Sequence, residues 1–477
     1  MINNINYLHH DSDIQSNLDR SAIFLLEPKC LRTFTPSFPV ISKSAGAFHW
    51  TPEGKRLADF TSGVLVANLG HNSIAWTQRF FSHMNWNHNS TILGQIPFTS
   101  FPSSSDSKFF KAVPMTAYNA TTPVEIQASK MLLNLCSEKK GGVRLEKVLW
   151  AASGSEAVIK ALWAALSKTK ERNLIFATRH GFHGKKGLAG AVSGWETDRE
   201  RDSRVHFISF PKKECMDISN RHDHFNPLPY RIELDALWEK HRGQISALIT
   251  EPYLGGGGSF HPHSAYLLEL QSFCRDHGVI FILDEVQSNF GRTSQLFAFE
   301  HYGLEPDLVV LGKGLGNGMP VAAVVGRADL LDAMEFGEGS DTWSANPLAS
   351  AAVLATLEEF KNHDYLGPIP LVSSIIENGL RQLQLNLPYI AHIRGELGGM
   401  VWGLEMRECL GKTATEWANA FILACYIGEG NEGIHLLGPL AHKVIRISPP
   451  LILTKAEASF CMEQMLRIGI SIISKAT

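Results

Sequence analysis

Two short, wholly apolar runs each stop at an ionisable residue: Ile280-Phe281-Ile282-Leu283 at Asp284, and Leu308-Val309-Val310-Leu311 at Gly312-Lys313. A continuous apolar run of this length reads as a strand buried on both faces, as in a parallel sheet covered by helices on both sides. The residue just past each run then lies at the sheet's carboxyl edge, where open α/β sheets bind their ligands. Similar runs precede these two: Val148-Leu149-Trp150-Ala151, Leu174-Ile175-Phe176-Ala177, Val205-His206-Phe207-Ile208 and Ile245-Ser246-Ala247-Leu248-Ile249. Helical patterns lie between several of them, notably Glu156 to Lys168 and Ala265 to His277. The alternation predicts an α/β fold whose large domain is a mostly parallel sheet flanked by helices.

A chain of 477 residues is too long for one simple core, and two domains are expected. After about residue 346 the pattern changes to a long helix, Pro347 to Lys361, and then to mixed short strands and helices, which reads as a smaller α+β domain. Residues 45–70 read as short strands and turns, with Pro52-Glu53-Gly54-Lys55 as a tight turn. The first forty residues show no strong periodicity. His9 and His10 beside Asp11 and Asp13 read as a solvated terminal segment rather than a metal site, because nothing nearby completes a coordination shell. Residues 85–107, rich in Asn, Ser, Thr, Pro and Phe, read as a long surface or pocket-lining loop.

The formal net charge of −3 gives no reason to expect nucleic acid or an anionic membrane as partner. Seven scattered cysteines contain no C-x-x-C pair, so neither a zinc site nor a disulfide framework is suggested, and a reducing cytoplasm is expected. No apolar stretch reaches the ~20 residues of a membrane span, and the N-terminus lacks the blocks of a signal peptide.

Lys313 precedes Gly314-Leu315-Gly316-Asn317-Gly318, a turn that lets backbone approach a ligand closely. It reads either as a surface charge or as an amine near apolar walls, whose pKa falls and which becomes nucleophilic toward a carbonyl. A Walker loop is excluded, since Gly rather than Ser or Thr follows Lys313, and the glycines lack G-x-G-x-x-G spacing. Asp284 reads either as a salt-bridge partner or as a carboxylate facing a protonated pyridine nitrogen, the pairing that pyridoxal 5'-phosphate (PLP) requires. Gln287 is three residues on, within reach of the ring's phenolic oxygen. Ser153-Gly154-Ser155-Glu156 joins a strand to a helix and suits a phosphate, although Ser-x-x-Glu is also an ordinary capping box. Gly181-Phe182-His183-Gly184 offers an aromatic face for a ring, or a core Phe.

These residues resemble the class III (ω-type) PLP-dependent aminotransferases of fold type I. The motifs that carry the likeness are Ser153-Gly154-Ser155-Glu156-Ala157, Phe182-His183-Gly184, Glu251-Pro252, Leu283-Asp284-Glu285-Val286-Gln287, Gly291-Arg292-Thr293, Pro306-Asp307 and Gly312-Lys313-Gly314. Asp59-Phe60-x-Ser62-Gly63 and Asn68-Leu69-Gly70-His71 extend it toward the start, and Ile393-Arg394-Gly395, Gly403-Leu404-Glu405 and Arg446-Ile447-Ser448-Pro449-Pro450 toward the end. The resemblance implies that residues 1–75 contribute to the small domain, that 76–345 form the large PLP-binding domain, and that 346–477 complete the small one. Lys313 would be the catalytic Schiff-base lysine. Asp284 would pair with the pyridine nitrogen, Gln287 would contact the phenolic oxygen, and Gly154 and Ser155 would bind phosphate. Phe182 would stack on the ring, with Glu251 also in the cofactor site. Thr342 would reach the phosphate of a neighbouring subunit, which implies a homodimer with shared active sites. Arg446 would grip a substrate carboxylate, with Lys185 as a second substrate-binding cation.

Three departures from the family pattern bear on the substrate, one being the length of the 85–107 loop, which lies where the family's substrate entrance usually forms. Many ω-aminotransferases carry Glu after Glu-Pro to mask the carboxylate-binding arginine, whereas here Glu251-Pro252-Tyr253-Leu254 runs into Gly255-Gly256-Gly257-Gly258. The family's common Arg after the aromatic-His-Gly turn is Lys185, a point charge rather than a fork. The expected activity is ping-pong transfer of an amino group from an amino acid or ω-amino donor to a 2-oxo acid. The rivals are an aminomutase or racemase on the same scaffold and a non-catalytic binding protein with this fold.

Overall fold

The apolar runs assemble into the wall on which the rest of the molecule is built. The computed structural model describes residues 10–28, 30, 33–86, 112–118, 120–198 and 201–474. His9 and most of the 85–107 segment, all but Asn85 and Trp86, lie outside the described residues. Near the start come β1 (Lys43–Ala45), β2 (Phe48–Trp50) and β3 (Arg56–Asp59). The large sheet is made of β4 (Lys147–Ala151), β5 (Leu174–Thr178), β6 (Val205–Ile208), β7 (Ile245–Thr250), β8 (Ile280–Asp284), β9 (Leu308–Leu311) and β10 (Ala322–Gly326). Its seven strands lie in the order β4-β10-β9-β8-β7-β5-β6. Only β10 runs antiparallel to its neighbours, so the sheet is mostly parallel, as expected.

Alternate residues of the buried strands serve opposite faces. Ile175, Ile249, Ile282 and Val310 pack with Ala157, Ala161 and Ala165 of helix Gly154–Lys168. Phe176, Leu248, Phe281, Leu283 and Val309 face the other side, with Leu270 and Phe273 of helix Ser264–His277. Helix Pro347–Asn362 joins this second core through Ala351, Val353, Leu354 and Leu357. It packs against helices Ile74–His83 and Pro123–Ser137.

The last third adds β11 (Ile390–Gly395), β12 (Trp402–Met406), β13 (Glu432–His435) and β14 (Val444–Ile447). Strands β11, β12 and β14 form an antiparallel sheet. Strand β13 instead joins β1, β2 and β3, pairing parallel with β3, so the two ends of the chain share one sheet. Helices Ile369–Asn386, Ala414–Ile427 and Lys455–Ser474 close a separate core around Trp402, Trp417 and Phe421. Among the described residues, no helix is long and apolar enough to cross a membrane.

The N-terminal segment departs from the solvated terminus expected of it. Helix Ile14–Leu26 docks through Arg20, which is fully buried and donates from Nη2 to Asp13 (3.0 Å) and to the Tyr426 hydroxyl (2.8 Å). Arg20 Nε donates to the Phe38 carbonyl. Docking by a buried ion pair leaves no apolar stripe, and periodicity alone does not register it.

Just after β3 the backbone makes a left-handed turn: Ser62, Gly63, Val64 and Leu65 have φ of 49°, 57°, 68° and 64°. Each non-glycine residue there costs about 1–2 kcal/mol, so the turn persists only if its surroundings hold it. Asp59 Oδ1 accepts from Thr61 N, Thr61 Oγ1 and Ser62 N, and the Ser62 hydroxyl donates to the Ser448 carbonyl.

Candidate active site

Parallel pairing of β8 with β9, in which Asp284 lies beside Val310, brings Asp284 and Lys313 to one edge of the sheet. Lys313 has φ 47°, an uncommon conformation for a long side chain and one that marks functional strain. Among the described residues its amine makes no hydrogen bond. Burial and the Arg446 guanidinium hold the amine down at about 7, against the pull of Asp284 and Glu251. Gly314 is required beside it, because a Cβ there would stand 2.5 Å from the Asn68 amide nitrogen.

Asp284 is 4% exposed, and its Oδ2 lies 2.7 Å from His183 Nδ1. Its Oδ1 accepts from the Val286 amide at 3.0 Å. Burial disfavours a charged His183 ring, but the Asp284 hydrogen bond and charge, with Glu251, raise it above the ordinary histidine value. His183 Nε2 is buried with no hydrogen-bond partner among the described residues. Nothing in the sequence singles out His183 as the partner of Asp284. The only signal was its place in the turn with Phe182.

Glu251 follows β7, the other neighbour of β8, and is 2% exposed. It accepts from the amides of Phe182 (2.8 Å) and Gly255 (3.1 Å). Burial raises its carboxyl to about 7, with His183 pulling down and Asp284 pushing up. The glycine run earns its place sterically: a Cβ on Gly255 would collide with the Gln287 amide, and one on Gly256 would lie 2.7 Å from Phe182 Cβ. Phe182 stands 42% exposed above this floor.

Helix Gly154–Lys168 begins beside the end of β8, where a Cβ on Gly154 would lie 3.1 Å from Val286. Ser153 and Glu156 form a reciprocal capping box. The Gly154 and Ser155 amides belong to the first turn, which has no intrahelical acceptors for them, and the Ser155 hydroxyl has no partner among the described residues. A helix start of this kind attracts anions.

Arg446 reaches the same edge from β14. It is 3% exposed, donates from Nη1 to Gln287 Oε1 at 3.2 Å, and leaves Nε buried without a hydrogen-bond partner among the described residues. Tyr253 lies between the two walls, with its hydroxyl donating to the Gln287 carbonyl. Thr342 is exposed in a turn shaped by Asp341, which accepts from the Trp343 and Ser344 amides and pairs with Lys160 at 2.6 Å. Lys185 is also exposed, and among the described residues it makes no hydrogen bond or ion pair.

The arrangement therefore gathers Lys313, Asp284, Glu251, Gln287 and Arg446 with the Phe182 and Gly154-Ser155 turns, and leaves Thr342 and Lys185 outside. It fits a phosphorylated pyridine aldehyde. A free amine, a buried carboxylate at the sheet edge, unpartnered His183 Nε2 and Arg446 Nε, and an open helix start are the donors and acceptors such a molecule uses.

Residues 108–468 match the family described as aminotransferase class-III. An acetylornithine aminotransferase of Oceanobacillus iheyensis is 26% identical over 441 residues, 91% of this chain and 94% of its own. A leucine/methionine racemase of Thermococcus litoralis is 27% identical over 440 residues, covering 90% of this chain and 89% of its own. The crystal structure of the ornithine aminotransferase from Toxoplasma gondii has the same fold, with a TM-score of 0.76 at 21% identity over 97% of this chain and 98% of that one.

Proposed function

This chain belongs to the class III aminotransferase family, whose cofactor is PLP, and from that premise we propose that it transfers an amino group from an amino acid or ω-amino donor to a 2-oxo acid in a ping-pong cycle. The observation that carries the reading is the partnerless Lys313 amine, held at about 7 on the same sheet edge as the buried Asp284. Bound PLP supplies an aldehyde that condenses with amines and a ring that takes up electrons from the substrate carbon.

Lys313 is neutral for much of the time near pH 7, so its Nζ can both attack a carbonyl carbon and carry a proton between neighbouring carbons. Asp284, backed by His183, presents a negative charge that keeps a pyridine nitrogen protonated. Gln287 serves the ring hydroxyl, Phe182 covers one ring face, and Glu251 braces Phe182 through its backbone. Gly154 and Ser155 take the phosphate. Arg446 offers a planar fork to a carboxylate, and the glycines at 255–258 leave that fork without an acidic mask. This supports substrates that bring a carboxylate in both half-reactions.

Thr342 reaches the phosphate of a second subunit in this reading, which makes the protein a homodimer. Exposed Trp343 and Phe336 near it support an interface, since large apolar side chains favour burial between copies. Seven free cysteines support a reducing, cytoplasmic location.

The test mixes the PLP-loaded protein with a panel of amino donors and follows the cofactor absorbance, with pyruvate or 2-oxoglutarate added second. Transamination predicts conversion by donor alone, stoichiometric release of an oxo product, and reversal by the oxo acid. Inversion of an amino acid's chirality with no oxo product and no need of acceptor would replace this reading with a racemase.

A further inference from the structure

Away from the cofactor site, buried His49, Asp59 and His435 and half-buried His71 gather at one face of the small four-stranded sheet. His49 on β2 lies opposite Leu57 on β3, and Leu57 shares a sheet face with Asp59 two residues on. His435 on β13 is the direct parallel neighbour of Asp59. His71 arrives from the chain after the left-handed turn, held to Gly46 by two backbone hydrogen bonds of 2.9 Å.

We propose that His49, Asp59 and His71 form a zinc site, and that His435 on β13, whose ring lies beside that of His49, turns in as the fourth donor and so pins the two ends of the chain together. Asp59 Oδ2 is 2.7 Å from His71 Nε2 and 3.3 Å from His49 Nε2, and the three donor atoms lie within 4.8 Å of one another. Tetrahedral zinc with bonds of about 2.0–2.1 Å sets its ligands about 3.3 Å apart, so the three draw together around the ion while His435, outside that group, rotates toward it. The independent sign of a missing partner is His435. It is 8% exposed, its ring centroid is 5.8 Å from that of His49, and its Nδ1 is buried with no hydrogen-bond partner among the described residues. Buried polar atoms in native proteins nearly always have a partner, and a metal would supply it.

The surroundings are those of a metal ligand set. Ser44 Oγ lies 2.7 Å from His49 Nδ1, which leaves Nε2 facing Asp59, in the way that outer hydrogen bonds orient ligating imidazoles. Asp59 is fully buried and its other oxygen is committed to Thr61 and Ser62, so Oδ2 alone faces the cluster. Imidazole nitrogens with one carboxylate suit zinc, and a set completed by four protein ligands describes a structural ion rather than a catalytic one. The site also reaches the active-site wall. Asp59 holds the Ser62–Leu65 turn, and Leu65 packs against Tyr253, whose hydroxyl bonds the Gln287 carbonyl.

The full-length, PLP-loaded protein is incubated with excess zinc, gel-filtered, and assayed for zinc by mass spectrometry. One zinc per chain is expected. His49→Gln and His435→Gln should each weaken retention by at least ~100-fold against a chromophoric chelator, with far-UV dichroism and bound PLP as controls for folding. Cobalt in place of zinc should give the intense visible bands of a tetrahedral ion. A folded, PLP-loaded wild type that retains no zinc overturns the proposal, as does zinc held equally well by both variants. If the variants do not fold, the wild type decides: a Tm unchanged between zinc and EDTA, with no tetrahedral cobalt spectrum, also overturns it.

Discussion

The left-handed backbone at Lys313 aims a long side chain off the end of β9 into a pocket where no described group receives it. Because burial and Arg446 depress its amine to about 7, the neutral form predominates above that pH. In PLP-free protein, modification of Lys313 by trinitrobenzenesulfonate should rise through a midpoint near pH 7. The fast phase should vanish in Lys313→Ala, and Arg446→Gln should move the midpoint upward by removing a like charge. A midpoint at the ordinary lysine value of about 10.4 would contradict this picture of the site. For Asp284→Asn, the charge proposed to face the ring and the partner of His183 are lost together. Turnover should fall by about 100-fold or more, equivalent to about 2.7 kcal/mol of barrier, while bound PLP remains visible by absorbance. Retained turnover would mean that Asp284 is a structural ion-pair partner. The Asp284–His183 contact was not legible in the sequence, since it depends on two turns 101 residues apart meeting above one strand end.

At the scale of elements, the start of helix Gly154–Lys168 and the glycine run after Glu251 set the pocket's shape. Ser153 caps the helix, which frees Ser155 Oγ for an anion. Ser155→Ala should therefore weaken PLP binding by about tenfold, in line with ~1.5 kcal/mol for a hydrogen bond to a charged group, and leave the melting temperature nearly unchanged. Gly256→Ala acts differently. Its methyl would meet Phe182 Cβ at 2.7 Å, so Phe182 must shift, and the PLP absorbance and off-rate should change with it. Unaltered cofactor binding in Gly256→Ala would show that Phe182 does not cover the ring. Element boundaries were largely legible: helix Glu156 to Lys168 appears as Gly154–Lys168, and Ala265 to His277 as Ser264–His277. Strand β10 was not, because its small residues, Ala322-Ala323-Val324-Val325-Gly326, follow a glycine-dense turn and carry a weak strand signal.

At the scale of the whole molecule, the two chain ends are tied by polar contacts. Burial of Asp13 opposes its charge, but hydrogen bonds from Tyr426 and Arg20 and the Lys55 charge prevail, and its carboxyl is held below the usual value. A carboxyl depressed in the folded state stabilises above its unfolded pKa of about 4 and loses that contribution as pH falls through the folded value. Helix Ile14–Leu26 should thus undock in acid below about pH 4, seen as faster limited proteolysis within 14–26. Arg20→Ala should produce the same cleavage at neutral pH, with a cost of about 3 kcal/mol from the unpaired buried charge. Equal protease resistance of the variant would show that the helix is held by other contacts. Lys160 similarly braces Asp341 beneath Thr342.

What the sequence determined by itself was the sheet, its carboxyl edge and the chemical types gathered there. Continuous apolar runs admit few alternatives to a doubly covered parallel sheet, and residues just past them must lie at its edge. The Asp284 and Lys313 positions followed from that rule alone. Tertiary structure decided the pairings that connect distant segments: His183 with Asp284, Gln287 with Arg446, Arg20 with Asp13 and Tyr426, and His49 and His71 with Asp59. Local propensity and periodicity carry no information about these contacts, because each depends on strand order and register rather than on spacing along the chain.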